Sequence, residues 1–65
     1  MEFCEFVKHV RKEMKYTQKE LADALEVSYA TVNRWENNQA EPSKLAMRSF
    51  LDFCDNNFID ISTIK

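Results

Sequence analysis

The stretch TQKELADALEVSYATVNRWENN, Thr17 to Asn38, decides how this chain folds. Thr17 followed three residues later by Glu20 is a capping box, in which each side chain satisfies a backbone N–H left unpaired at a helix start. Leu21, Ala22 and Leu25 then form the apolar stripe of a short helix. Ser28 stands three residues after Leu25 and is a second N-cap. A further helix is expected from about Tyr29 to Asn37. At about 100° per residue, Val32 and Trp35 fall on one side of it. The other side carries Ala30, Asn33, Arg34 and Asn37, with Tyr29 and Thr31 at its rims. That polar face is either plain solvated surface or a reading head.

Upstream, Phe3, Phe6, Val7, Val10 and Met14 keep a helical period with no Pro or Gly to interrupt it. The polar side of this helix is divided by sign. Lys8, Arg11, Lys12 and Lys15 occupy one flank, while Glu2, Glu5, Glu13 and His9 occupy the other. Downstream, the Asn-Asn-Gln-Ala-Glu-Pro segment is a loop, with Pro42 holding Glu41 extended. Ser43 caps a fourth helix whose stripe is expected to be Leu45, Ala46, Phe50, Leu51 and Cys54. The tail from residue 56 is open. Ile59 and Ile61 alternate weakly like a strand, whereas Phe58, Ile61 and Ile64 would line a short fifth helix.

Bulk composition narrows the function classes. The 65 residues fit one domain, covering 1–65, with 45% apolar content and five Phe for one small core. No run of about 18 apolar residues occurs, so no membrane span is expected. The N-terminus starts acidic and is charged every few residues, unlike a signal peptide, so the cytoplasm is the expected compartment. Cys4 and Cys54 sit in neither a C-x-x-C pair nor a zinc spacing. They are expected as small buried or half-buried hydrophobes, with an end-to-end disulfide as the alternative. His9, the single histidine, is expected on a helix surface, which removes most metal and acid–base schemes. The chain has no glycine, so no Gly-rich phosphate loop is possible. No metal and no cofactor are expected. With no nucleophile–base pair or carboxylate dyad, neither is an enzyme.

The net charge of −2 argues against nucleic acid only as an average. Residues 8–19 hold Lys8, Arg11, Lys12, Lys15 and Lys19 against Glu13, a local net of +4, in a domain that is otherwise acidic. A phosphate backbone responds to such a patch.

The spacing from Thr17 to Ser43 resembles the helix-turn-helix of the Cro/C1 phage-repressor and Xre-type family. The shared pattern is T-Q-x-E-L-A, then V-S, x-x-T-V, x-x-W-E-N and a P-S about five residues on, and the likeness covers roughly residues 10–45. It implies an all-α bundle of four to five helices of the lambda-repressor-like type, with the motif at about 17–37. In this family the second motif helix lies in the major groove with its N-terminal residues at the base edges. Carried over residue by residue, this places Ser28, Tyr29, Ala30, Thr31, Asn33 and Arg34 at or near DNA. Arg34 suits a bidentate pair with guanine, and Ala30 permits close approach to a thymine methyl. Asn33 suits adenine or a phosphate. Gln18 suits a phosphate at a helix N-terminus. Lys19 joins Lys8, Lys12 and Lys15 in non-specific attraction, and Asn38, with Gln39, matches positions of backbone contact.

Other family positions are structural. Ala22 is small where the motif helices cross. Arg11 matches an arginine that pairs with the W-E-N glutamate, here Glu36, so it is either an ion-pair partner or a phosphate contact. Asn37 either terminates its helix or reads a base. The chain departs from the pattern at Glu26 and Asn38, where the family usually has glycine. A left-handed or distorted turn is expected at Glu26, so that Glu26→Gly would stabilise the fold.

The resemblance implies sequence-specific double-stranded DNA binding by a small transcriptional regulator, with repression expected. A palindromic operator and a homodimer would follow. Phe50, Phe53, Phe58, Ile59 and Ile61 are candidates for self-association, with a core role as the alternative for Phe50 and Phe58. A second class is a protein-interaction module, such as an antitoxin or accessory subunit, that meets its partner through the C-terminal tail.

Overall fold

The computed structural model describes residues 2–59. Four helices follow one another: α1 (Phe3–Glu13), α2 (Gln18–Leu25), α3 (Tyr29–Glu36) and α4 (Lys44–Asn56). Among the described residues there is no strand. The starts of α2, α3 and α4 fall where their caps predict. Thr17 Oγ1 accepts from the Glu20 N–H at 3.1 Å, while Glu20 Oε1 accepts from the Thr17 N–H at 2.8 Å, completing the capping box. Ser28 and Ser43 accept from the N–H groups of Thr31 and Ala46.

The helices close around Phe6, Val7 and Val10 of α1, Leu21, Ala22 and Leu25 of α2, Val32 and Trp35 of α3, and Phe50 and Cys54 of α4. Helix α3 packs on both α1 and α2, and α4 touches α2. Phe3 links these layers with ring edges, its centroid 5.7 Å from Trp35 and 5.4 Å from Phe50. Phe50 is therefore core, and of its two expected roles the interior one holds.

One expectation for α4 fails. Leu45 is 76% exposed. Its i+4 and i+7 neighbours are Ser49 and Asp52, so it lies on the polar side, while Phe50 and Cys54 are buried with Ala46 and Leu51 partly buried against the core. Phe58 is 97% exposed and does not belong to the core. Phe53 is half-buried, near Tyr16. The possible fifth helix or strand and the role of Ile61 lie outside the described residues.

All four helices end the same way. Lys15, Glu26, Asn38 and Phe58 have φ of 58°, 60°, 57° and 58°. At each end the left-handed residue donates its N–H three residues back, to Lys12, Asp23, Trp35 and Asp55 respectively. The next residue donates five back: Tyr16 to Arg11, Val27 to Ala22, Gln39 to Arg34 and Ile59 to Cys54, at 2.8–3.0 Å. This is the Schellman closure, which normally recruits glycine. The left-handed turn expected at Glu26 is present, with ψ 39°. Tyr16, Val27 and Ile59 also lay an apolar side chain against the core.

Cys54 is fully buried, Cys4 is half-buried, and both thiols are free. Burial pushes the Cys54 thiol up from 9.0 to about 11, because the apolar surroundings disfavour the thiolate. Its contribution to stability is thus complete below pH 9.0 and is lost as pH rises toward 11. A thiol reagent is expected to modify Cys4 first in the folded protein and Cys54 only at the rate of unfolding. Equal rates in native buffer would contradict this.

Candidate nucleic-acid interface

Helix α3 is mounted by its buried side. Val32 and Trp35 enter the core, and Glu36 beside them is only 3% exposed. That carboxylate is held by Arg11 of α1: Nε donates to Oε2 at 2.8 Å and Nη2 to Oε1 at 3.1 Å. Arg11 Nη1 also donates to the Tyr16 carbonyl at 3.3 Å. Arg11 is thus an ion-pair residue, which decides between its two expected roles. The exposed basic patch is reduced to Lys8, Lys12, Lys15 and Lys19, and Lys19 Nζ lies 3.5 Å from Asp23.

The opposite side of α3 carries the expected reading residues. Tyr29, Ala30 and Arg34 are exposed, and the Arg34 side chain makes no hydrogen bond or ion pair with any described residue. Ser28 and Thr31 come together at the helix start, with Oγ to Oγ1 2.8 Å, so the Thr31 hydroxyl is engaged by the cap. Asn33 is half-buried and donates from Nδ2 to Gln18 Oε1 at 3.1 Å, bridging the middle of α3 to the start of α2. Asn37 terminates its helix: its Nδ2 donates to the Asn33 carbonyl at 2.9 Å and to Asn33 Oδ1 at 3.2 Å. Lys19 and Asn38 are exposed but share no hydrogen bond between side chains with the others.

The link from Asn37 through Asn33 to Gln18 is absent from the sequence reading. Half of it had a signal, since Asn33 and Asn37 are four apart on one helix. The other half depends on how α2 and α3 cross and had none. His9 stands on the surface of α1, as expected, with Nε2 4.0 Å from Glu13. No described helix is long and apolar enough to cross a membrane.

Two short helices joined through a left-handed turn, the second clamped by its apolar side with a polar face left outward, define a helix-turn-helix domain. The family model described as helix-turn-helix matches residues 7–58, and the chain belongs to this family, of the Cro/C1 and Xre type. It is 41% identical over 39 residues to the HTH-type transcriptional regulator DicA of Escherichia coli (strain K12), covering 60% of this chain. It is 36% identical over 52 residues, 75% of this chain, to the type II methyltransferase M.SsoII of Shigella sonnei. The chain spans 29% and 14% of the lengths of these two relatives. No solved structure matches it at comparable significance.

Proposed function

We propose that this domain binds double-stranded DNA sequence-specifically and acts in the cytoplasm as a small transcriptional regulator, a repressor, and not as an enzyme. The observation that carries the reading is the two-sidedness of α3. Val32, Trp35 and Glu36 are buried, while Tyr29 and Ala30 at the capped start and Arg34 in the last turn are exposed. In this reading α3 lies in the major groove, and Arg34 pairs with guanine O6 and N7. One such domain reads only a few base pairs, so a homodimer on a two-fold symmetric operator follows, with half-sites about one helical turn apart. The likeness to a regulator of transcription supports the same reading. The likeness to a methyltransferase covers 14% of that protein, and its activity is not carried over.

Selection of bound sites from random DNA tests this directly. Arg34→Ala is expected to cost about 1–3 kcal/mol at one base pair and to relax preference there. Lys12→Ala is expected to weaken all sequences alike and to reduce the salt slope by about one unit. A selection that returns no common site, with Arg34→Ala binding as wild type does, rejects the proposal. Exposed Leu45 and Phe58 favour a second reading, a protein-interaction module of the antitoxin or accessory-subunit kind. That reading expects Arg34→Ala to be silent.

A further inference from the structure

Three side-chain amides, those of Gln18, Asn33 and Asn37, are joined in an order that leaves no choice of polarity. The main-chain carbonyl of Asn33 can only accept, so the atom of Asn37 facing it at 2.9 Å must be Nδ2. That same nitrogen faces the Asn33 side chain at 3.2 Å, which must therefore present Oδ1. The remaining atom, Asn33 Nδ2, is turned to Gln18 at 3.1 Å, and Gln18 must accept with Oε1. The Gln18 Nε2 is left without a described partner, so its N–H groups are the ones free for a ligand. Polarity set at one backbone carbonyl on α3 thus propagates across two side chains to the start of α2.

Asn33 engages both of its polar atoms in this relay, one lone pair of Oδ1 and one N–H of Nδ2, and its half-buried amide is aimed at Asn37 and Gln18. Reading adenine would require that same oxygen and nitrogen together, aimed at N6 and N7. We propose that Asn33 is a positioning residue and not a base reader: held by Asn37, it fixes the Gln18 amide with its N–H groups outward for a phosphate, and base preference rests on Arg34. The inference depends on the DNA-binding reading above and narrows its substrate. The half-site is anchored by a guanine, with no adenine read by Asn33.

Binding of the selected site, and of its single base-pair variants, is compared among Asn33→Ala, Gln18→Ala and the double variant, with a melting curve for each. Each single change is expected to lower affinity about tenfold on every sequence, the loss of one hydrogen bond to a charged acceptor. The ranking of bases stays as in wild type, a result that loss of a reader would not give. The double variant binds within about twofold of Gln18→Ala, because the two residues act as one unit. A changed preference at one base pair in Asn33→Ala, or losses that multiply to about a hundredfold, overturns the inference while leaving DNA binding intact. A wild type that binds no sequence selectively overturns the functional reading, and the inference falls with it.

Gln18→Glu keeps the test sharp even where Asn33→Ala melts early. Its carboxylate still accepts from Asn33 and suits a helix N-terminus, so the fold is retained. The outward donor, however, becomes a negative charge. Affinity is expected to fall by more than about tenfold on all sequences, and unchanged binding overturns the inference.

Discussion

Arg11→Ala is expected to leave this domain largely unfolded at 37 °C. The substitution removes no apolar core residue, yet it strips both oxygens of the buried Glu36 of their partner. Breaking a buried pair from one side costs about 3–5 kcal/mol, because the charge that stays is neither paired nor solvated. At about 0.05–0.15 kcal/mol per residue, a domain of this length holds only about 3–10 kcal/mol in all. The loss consumes most of that. Arg11→Lys is expected to recover part of it, since a point charge cannot span both carboxylate oxygens as the planar fork does. Replacing both partners, Arg11→Met with Glu36→Leu, should return stability to within about 2 kcal/mol of wild type, because no orphaned charge remains. Urea melts of the four proteins measure this. A single Arg11→Ala variant as stable as wild type would show that the pair is ornamental.

The opposite outcome is expected at the helix ends. Lys15, Glu26 and Phe58 are exposed and left-handed, so a glycine at each gives up no buried packing. A left-handed L-residue costs about 1–2 kcal/mol, while glycine's extra freedom in the unfolded chain takes back about 0.4–1 kcal/mol. The triple variant is expected to gain about 2 kcal/mol, raising Tm by about 10 °C. The sites are on different helices and their effects should add. Asn38→Gly is the control and should change little, because Asn tolerates this conformation. A triple variant that melts below wild type would mean that the side chains at these ends do more than cap.

Much of this structure could be read from the chain because its signals are local. Thr17, Ser28 and Ser43 announce three helix starts within a few residues each. The buried stripes of α1 and α2 follow from spacing alone. The pairing of Arg11 with Glu36 crosses 25 positions, and only the family likeness brought those residues together. Two left-handed ends, Glu26 and Asn38, were legible for the same reason. Lys15 and Phe58 were not, since neither residue type hints at positive φ. Leu45 shows how an apolar letter misleads when its i+4 and i+7 neighbours are not consulted. In the site, exposure at Tyr29, Ala30 and Arg34 follows from helical phase. The engagement of Asn33 with Gln18 does not, because it depends on a distance between two helices that no periodicity contains.

The repeated helix closure has one irregular member. At the ends of α1, α2 and α4 the residue after the left-handed turn is Tyr16, Val27 or Ile59, and each is pinned to the core. After α3 it is Gln39, polar and exposed. The closure of α3 therefore lacks the apolar clasp of the other three, and a charged one stands in for it. Its first turn is fastened by Ser28 and Thr31, and its final turn is held by Trp35 in the core and by the bond from Arg11 to Glu36. Any give at this end thus begins only after Asn37, at exposed Asn38 and Gln39, while the helix itself keeps register.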